Sequence, residues 1–237
     1  MNANTSTIAL NWSSGKDAAL AYFYLQKETN VEVRLLLTTF SQEHKRVSMH
    51  GVAEEIVAMQ AGAMNLPLQK IYLPQAATMQ TYDNIMLQHN SRLHKQGIDT
   101  LGYGDIFLED LKTYREQQAD AAQMSTTFPL WKKDTRLLVG ELEDAGIEAI
   151  IVCVNARLLG KEFLGKKISR ALLHELPTGI DPCGENGEFH TLVVNAPYFS
   201  EALKIKTGEA VYKTYSPADA DTQWDTGFYF LDVLPQL

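Results

Sequence analysis

The sequence predicts an α/β fold: an N-terminal parallel sheet with helices on both faces, followed by a smaller C-terminal α+β region. Three observations predict it. Short apolar runs alternate with segments of helical periodicity through the first half of the chain, the pattern of βαβ units. A turn of small residues, Ser13, Ser14 and Gly15, joins the first apolar run directly to a helix-like segment. Far downstream, a glycine- and carboxylate-rich stretch at 180–192 runs into Leu192, Val193 and Val194, which reads as a loop anchored on a strand.

Taken in order, the apolar runs at 8–12, 33–39, 68–73, 100–104 and 149–154 are the expected strands. Residues 18–25, rich in Ala, Leu and aromatics, form the first helix. Val52, Ile56, Met59 and Ala63 track one face of a second, and Tyr82, Ile85, Met86, His89 and Leu93 one face of a third. A helix carrying Tyr114 and Arg115 follows Gly104 and Asp105, another spans 136–145, and a terminal strand spans 227–233. The boundary between the two parts is placed at 137, giving units 1–137 and 138–237. Right-handed crossovers bring the loops after the first, second and fourth strands to one sheet edge. Open α/β sheets bind ligands there, so residues 13–17, Thr38, Thr39, Gly104 and Asp105 should share a crevice.

Composition narrows the function classes. A chain of 237 residues makes one large domain or two modest ones. Its formal charge of −8 argues against a broad phosphate-tracking surface for nucleic acid. The two cysteines, Cys153 and Cys183, form no metal or redox spacing, and their scarcity suits a reducing compartment. No leader pattern and no run near the ~20 apolar residues of a membrane span occurs. A cytoplasmic protein that does not engage a membrane is expected.

The loop at 13–17 has the chemistry of a phosphate site. A helix N-terminus offers unpaired N–H groups and a positive dipole end. Ser13 and Ser14 add hydroxyls, Gly15 permits close backbone approach, and Lys16 brings a mobile charge. Asp17 reads as a loop holder that accepts backbone N–H bonds at the helix start. An ordinary capped turn is the other reading of the segment. Neither G-x-x-x-x-G-K-[ST] nor G-x-G-x-x-G occurs. The loop resembles the S-G-G-x-D-S loop of the ATP pyrophosphatases, the PP-loop family, which split ATP into AMP and pyrophosphate. Ser14 stands where that family has its first glycine, which a tight turn tolerates if Ser14 needs no positive φ. Ala18 stands where the family has a serine.

Residues 184–191 read Gly-Glu-Asn-Gly-Glu-Phe-His-Thr. Paired with the N-terminal loop, this element makes the chain similar to the diphthine–ammonia ligase family, also described as the ATP-binding domain of unknown-function type 71. Tyr103-Gly104-Asp105-Ile106 and Pro129-Leu130-Trp131 extend the resemblance from about residue 7 to about 200. It implies an adenine nucleotide alpha hydrolase-like fold and an ATP-dependent ligase that adenylates a carboxylate and then transfers ammonia. The implied acceptor is diphthine on elongation factor 2; a small-molecule carboxylate and a non-catalytic nucleotide-binding protein are the alternatives. A homodimer is left open.

Residue roles follow. Ser13, Ser14, Gly15, Lys16, Asp17, Thr38, His50, Gly104 and Asp105 are expected to bind ATP, with His50 either touching adenine or capping its helix. Magnesium is expected through few carboxylates plus phosphates, with Asp105 as the candidate ligand. Glu185 and Glu188 would repel phosphates, so they are expected to hold ammonium or a cationic substrate, or to act as the base that frees ammonia. His190 orients a glutamate or contacts substrate. Gly184, Gly187, Thr191 and Arg115 complete the substrate side. Cys183 reads as a small residue in a tight loop or as a nucleophile.

Overall fold

The computed structural model describes residues 5–48, 50–75, 77–215 and 226–236. The first sheet contains β1 (Ser6–Asn11), β2 (Val31–Ser41), β3 (Leu68–Leu73), β4 (Thr100–Gly102) and β5 (Ser125–Thr127). Their order is β3-β2-β1-β4-β5 and every pairing is parallel. β1 is central, so its residues meet packed layers on both faces. Ile8 and Leu10 point into one cluster, Ala9 into the other, and each fully buried Leu or Ile contributes about 1.5–3 kcal/mol. This is why the strand reads as an unbroken apolar run rather than an alternating one.

Among the described residues, five α-helices cover the sheet and its flank. α1 (Lys16–Leu25), α2 (Glu54–Ala63) and α5 (Thr135–Asp144) contribute to the cluster that holds Ile8 and Leu10. α3 (Met79–Lys95) and α4 (Glu109–Ala121) cover the opposite face through Met86, Leu93 and Ala119. Starts are set by local chemistry. The Thr78 hydroxyl accepts from Thr81 N at the head of α3, and Asp134 accepts from Arg136 N and Leu137 N at the head of α5. No described helix is long and apolar enough to cross a membrane.

The second sheet is antiparallel, in the order β7-β6-β9-β8, from β6 (Glu148–Asn155), β7 (Phe189–Asn195), β8 (Ile205–Tyr215) and β9 (Thr226–Pro235). Its Ile151, Val154 and Val193 join the same cluster as Ile8 and Leu10 of β1. Residue 137 lies inside α5, whose Leu138, Val139 and Leu142 belong to that cluster too. One apolar core therefore runs beneath both sheets. β1 is followed by β2 on one side and flanked by β4 on the other, so strand order reverses between β1 and β4, the place where α/β sheets open a ligand crevice.

Candidate active site

A cleft of about 530 Å³ opens at this reversal, within the size range of small-ligand sites. Its wall includes Ser13, Lys16, Asp17, Thr38 and Thr39 from the first two strand ends and Gly104, Asp105 and Arg115 from beyond β4. From the loop before β7 come Gly184, Glu185 and Gly187, from β7 itself His190 and Thr191, with His50 ahead of α2. The residues singled out in the sequence thus meet on the walls of one cleft, except Ser14, Gly15 and Glu188.

The loop before α1 is built against the second sheet. Ser14 O accepts from Val193 N at 2.9 Å, and Lys16 N donates to Thr191 Oγ1 at 3.0 Å. Gln60, fully buried on α2, ties the assembly together: it accepts from Trp12 Nε1 and donates to Ser14 O and Val193 O. Gln60 was not anticipated. The helical stripe of Val52, Ile56, Met59 and Ala63 passes over it, and a polar residue on that stripe was the one available signal. Gly104 lets the loop after β4 touch the same turn, because a Cβ there would sit 2.7 Å from the Asp17 carbonyl carbon.

Three expectations about this loop need correction. Ser14 does take a positive φ, 73°, so the serine adopts the left-handed conformation that the PP-loop glycine adopts without strain, at a cost of about 1–2 kcal/mol. Its Oγ is buried without a hydrogen-bond partner among the described residues. Lys16 is not mobile but 3 % exposed; its Nζ bonds Asp17 Oδ2 at 2.7 Å and also Cys183 O. Asp17 therefore holds the ammonium rather than loop N–H groups. Burial lowers the Lys16 pKa, but Asp17, with Cys183 and Glu185, together outweigh it and the ammonium stays above its ordinary value.

Glu185 and Glu188 face different ways. Glu185 accepts from Ile106 N at 2.8 Å and lines the cleft. Burial first, then the Asp17 charge, pushes its carboxyl up to about 7, against the pull of that N–H and of Lys16. Glu188 is 3 % exposed and turned into its own loop, where it accepts from Asp181 N, Asn186 N and Asn186 Nδ2. Its oxygens already have donors, so it shapes the loop, and the expected direct catalytic role for Glu188 is revised to a positioning one. Gly187, at φ 84°, lies between the two carboxylates and turns the chain there; Gly184, at φ 69°, packs so closely that a Cβ would lie 2.8 Å from Phe189 O.

His50 and His190 stack, with ring centroids 4.5 Å apart and planes at 27°. His50 Nδ1 lies 3.3 Å from Thr191 O, a contact in which the ring nitrogen donates, so His50 braces β7 and does not cap α2. Burial holds the His50 pKa down to about 4, and burial with the His50 and Lys16 charges holds His190 well below its ordinary value. Both rings are neutral near pH 7. His190 Nε2 has no hydrogen-bond partner among the described residues. Thr38 Oγ1 donates to Trp12 O at 2.7 Å, which fixes the end of β1. Asp105 pairs with Arg115 (Oδ2 to Nε, 2.6 Å), and that guanidinium lies 4.4 Å from the Tyr103 ring centre. The Cys183 thiol is buried and its pKa raised by that burial, which removes it as an activated nucleophile.

The paired elements at 13–17 and 184–191, closed on each other across one cleft, direct comparison with known families. The profile of the diphthamide synthase N-terminal domain matches residues 5–125, and that of the diphthamide synthase C-terminal domain matches 134–232. The chain belongs to the diphthamide synthase family. This makes it a ligase-family enzyme whose first sheet carries the PP-loop. Similar proteins include the diphthine–ammonia ligase of Danio rerio, 26% identical over 68% of this chain and 69% of that protein. That of Schizosaccharomyces pombe is 24% identical over 68% of this chain and 29% of its own length. That of Rattus norvegicus is 30% identical over 49% and 46%. The matches thus cover less than half of the rat ligase and less than a third of the fission yeast one. The diphthamide synthase N-terminal match ends at Ser125, where β5 begins, and the C-terminal match starts with Asp134, the cap of α5.

Proposed function

We propose that the chain is an ATP-dependent carboxylate–ammonia ligase acting on diphthine of elongation factor 2. The observation that carries this reading is the position of Glu185: a cleft carboxylate near neutrality, within the field of Lys16 and Asp17 and across from the PP-loop. An acceptor carboxylate oxygen attacks the α-phosphorus of ATP, and the bond to the β-phosphate oxygen breaks. Lys16, on the cleft wall, offsets the charge of the departing pyrophosphate. Ammonium gives a proton to Glu185; the resulting ammonia attacks the acyl carbon, the bond from that carbon to the AMP oxygen breaks, and the second nitrogen proton leaves with the departing phosphate to solvent. A carboxyl titrating at about 7 takes that proton at neutral pH and returns it to solvent. His190 Nε2 faces the reacting groups as a neutral donor or acceptor, with His50 stacked behind it.

Magnesium fits here only as a companion of the triphosphate, whose oxygens supply most of its ligands. No group of three or more His, Cys, Asp or Glu among the described residues could hold a metal, and Asp105 is engaged by Arg115. Both cysteines are unpaired, consistent with the reducing cytoplasm in which we place the reaction. The test is product analysis with diphthine-bearing elongation factor 2, ATP and ammonium. AMP and pyrophosphate in step with amide formation are expected; ADP as the main nucleotide product would overturn the mechanism.

A further inference from the structure

The side chain of Glu185 is held by the Ile106 N–H at 2.8 Å, so the chemistry of the cleft depends on the loop 103–106 that carries this donor. Between Gly102, where β4 ends, and Glu109, where α4 begins, the chain has no helix or strand of its own to fix it. Its neighbours fix it instead. Tyr103 N donates to Thr127 O at 3.0 Å, and its ring stacks on Phe128 with centroids 5.3 Å and planes 18° apart. Ile106 O accepts from Lys132 N at 2.7 Å. Between these anchors stands Asp105, its side chain 12 % exposed and its carboxylate facing one guanidinium. Arg115 Nη2 donates to Oδ1 at 3.0 Å, Nε lies 2.6 Å from Oδ2, and the same guanidinium covers the Tyr103 ring. One side chain of α4 thus grips Tyr103 and Asp105, just ahead of the residue that holds Glu185.

We propose that Arg115 and Asp105 are a positioning pair for Glu185: they hold the 103–106 loop so that Ile106 N–H meets the carboxyl, and they set part of the charge it meets. The inference rests on the ligase reading above, in which Glu185 takes a proton from ammonium, and gives control of that proton to two residues that do not exchange it. The ionisable groups bearing on Glu185 are Lys16 and Asp17 of α1, Asp105 with Arg115 behind it, and Asp181 and Cys183 of its own loop. His50 and His190, on the same cleft, are neutral near pH 7. Asp17 and Asp105 push a proton onto Glu185, and Lys16 pulls it off. Lys16 is tied to Asp17 as Arg115 is tied to Asp105, so two ion pairs act on one carboxyl, one from the start of α1 and one from beyond β4. Without Arg115, Asp105 would be a buried carboxylate lacking its cation, which is costly to keep. The peptide that presents Ile106 N–H would shift with it. A planar guanidinium suits the task because it meets a carboxylate along its edge while its face lies on an aromatic ring.

The experiment compares wild type, Asp105→Asn, Arg115→Gln and the double variant, with thermal melts showing that each folds. Amide formation gives kcat and the KM for ATP as functions of pH. The Glu185 carboxyl is titrated separately by carbon-13 NMR in the substrate-free enzyme, its signal assigned by its loss in Glu185→Gln. Asp105→Asn keeps an acceptor for Arg115 Nη2 and removes a negative charge, so the kcat step and the NMR titration should both move to lower pH by about one unit. Arg115→Gln should lower kcat roughly tenfold through a misplaced Ile106 N–H, with the KM for ATP within about twofold of wild type. The double variant should recover part of that loss, because no unpaired buried carboxylate remains. A Glu185 titration unchanged in Asp105→Asn overturns the proposal, as does a double variant whose losses simply add. An unshifted pH step with a raised magnesium requirement in Asp105→Asn overturns it too, and makes Asp105 a metal ligand. If the Glu185 titration moves as expected while wild type forms no amide, the ligase reading falls and the positioning pair stands.

Discussion

Gln60 Nε2 lies 3.1 Å from Ser14 O and 2.8 Å from Val193 O, so one amide nitrogen bridges the nucleotide loop of the first sheet and a strand of the second. Its oxygen accepts from Trp12 Nε1 at 2.8 Å. All of these groups are buried, and each would be costly to leave unpaired.

Gln60→Leu removes the bridge without changing side-chain bulk greatly. It strands one donor and weakens the satisfaction of two carbonyls, so a loss of about 2–4 kcal/mol of stability is expected. ATP affinity should fall with it, because Ser14 O loses one of the two groups that hold it. Denaturant titration and calorimetric titration with ATP on the same preparation check both; full ATP affinity in the variant would mean the loop stands without Gln60.

Ser14→Gly is expected to do the opposite to stability. Glycine accepts a φ of 73° without strain, and a buried hydroxyl lacking a partner disappears. A gain of about 1 kcal/mol is expected from relieving the left-handed serine. If the hydroxyl donates to pyrophosphate, turnover drops while the melting temperature rises. Thermal melts paired with steady-state kinetics decide it.

The raised Glu185 pKa gives two pH signatures. As a base the carboxylate must be ionised, so kcat should rise with pH through about 7, the value its burial sets. The stability effect runs the other way. The folded state binds the proton more tightly than the unfolded chain, so this contribution is complete below the ordinary carboxylate pKa and is lost as pH rises through about 7. Glu185→Gln should therefore flatten the decline in melting temperature between pH 5 and pH 8 and abolish the kinetic step. A variant whose profiles match wild type would remove Glu185 from both roles.

Glu188→Gln separates shaping the loop from doing chemistry. Glutamine keeps one acceptor oxygen but turns an NH₂ toward N–H groups now bonded to Glu188. A loss of about 1–3 kcal/mol is expected for the unsatisfied contacts. Turnover should fall less than in Glu185→Gln, with the position of its pH dependence kept. Parallel pH–rate profiles of the two variants make the comparison; a complete loss in Glu188→Gln with unchanged stability would restore it as a reacting group.

What was legible in the sequence follows what each signal depends on. Leu68–Leu73 matches the expected strand end to end, and β1, β2, β4 and β6 lie within a few residues of their expected bounds; β1, β2 and β4 are interior to the parallel sheet, where a strand is apolar on both faces. Ser125–Thr127 has no such run and pairs only at the sheet edge. β8 carries Lys206, Glu209 and Lys213 on an exposed edge, so its composition reads as loop. The residues at 13–17 and 184–191 carried their chemistry in their types. The difference between Glu185 and Glu188 did not: two glutamates three positions apart are distinguished by the turn at Gly187 between them. The His50–His190 stack joins residues from distant parts of the chain, and no local spacing reports it.

The anchoring of Ser14 on Val193 has a consequence for biosynthesis. The first sheet is complete once residue 127 has left the ribosome, yet the strand that fixes its nucleotide loop ends at Asn195. A nascent chain halted between these points carries all five parallel strands and a loop whose Ser14 and Lys16 backbone groups await their partners. Nucleotide capture is thereby deferred until most of the chain has been translated, and ATP retention by ribosome-bound chains of increasing length should switch on only after Asn195 emerges.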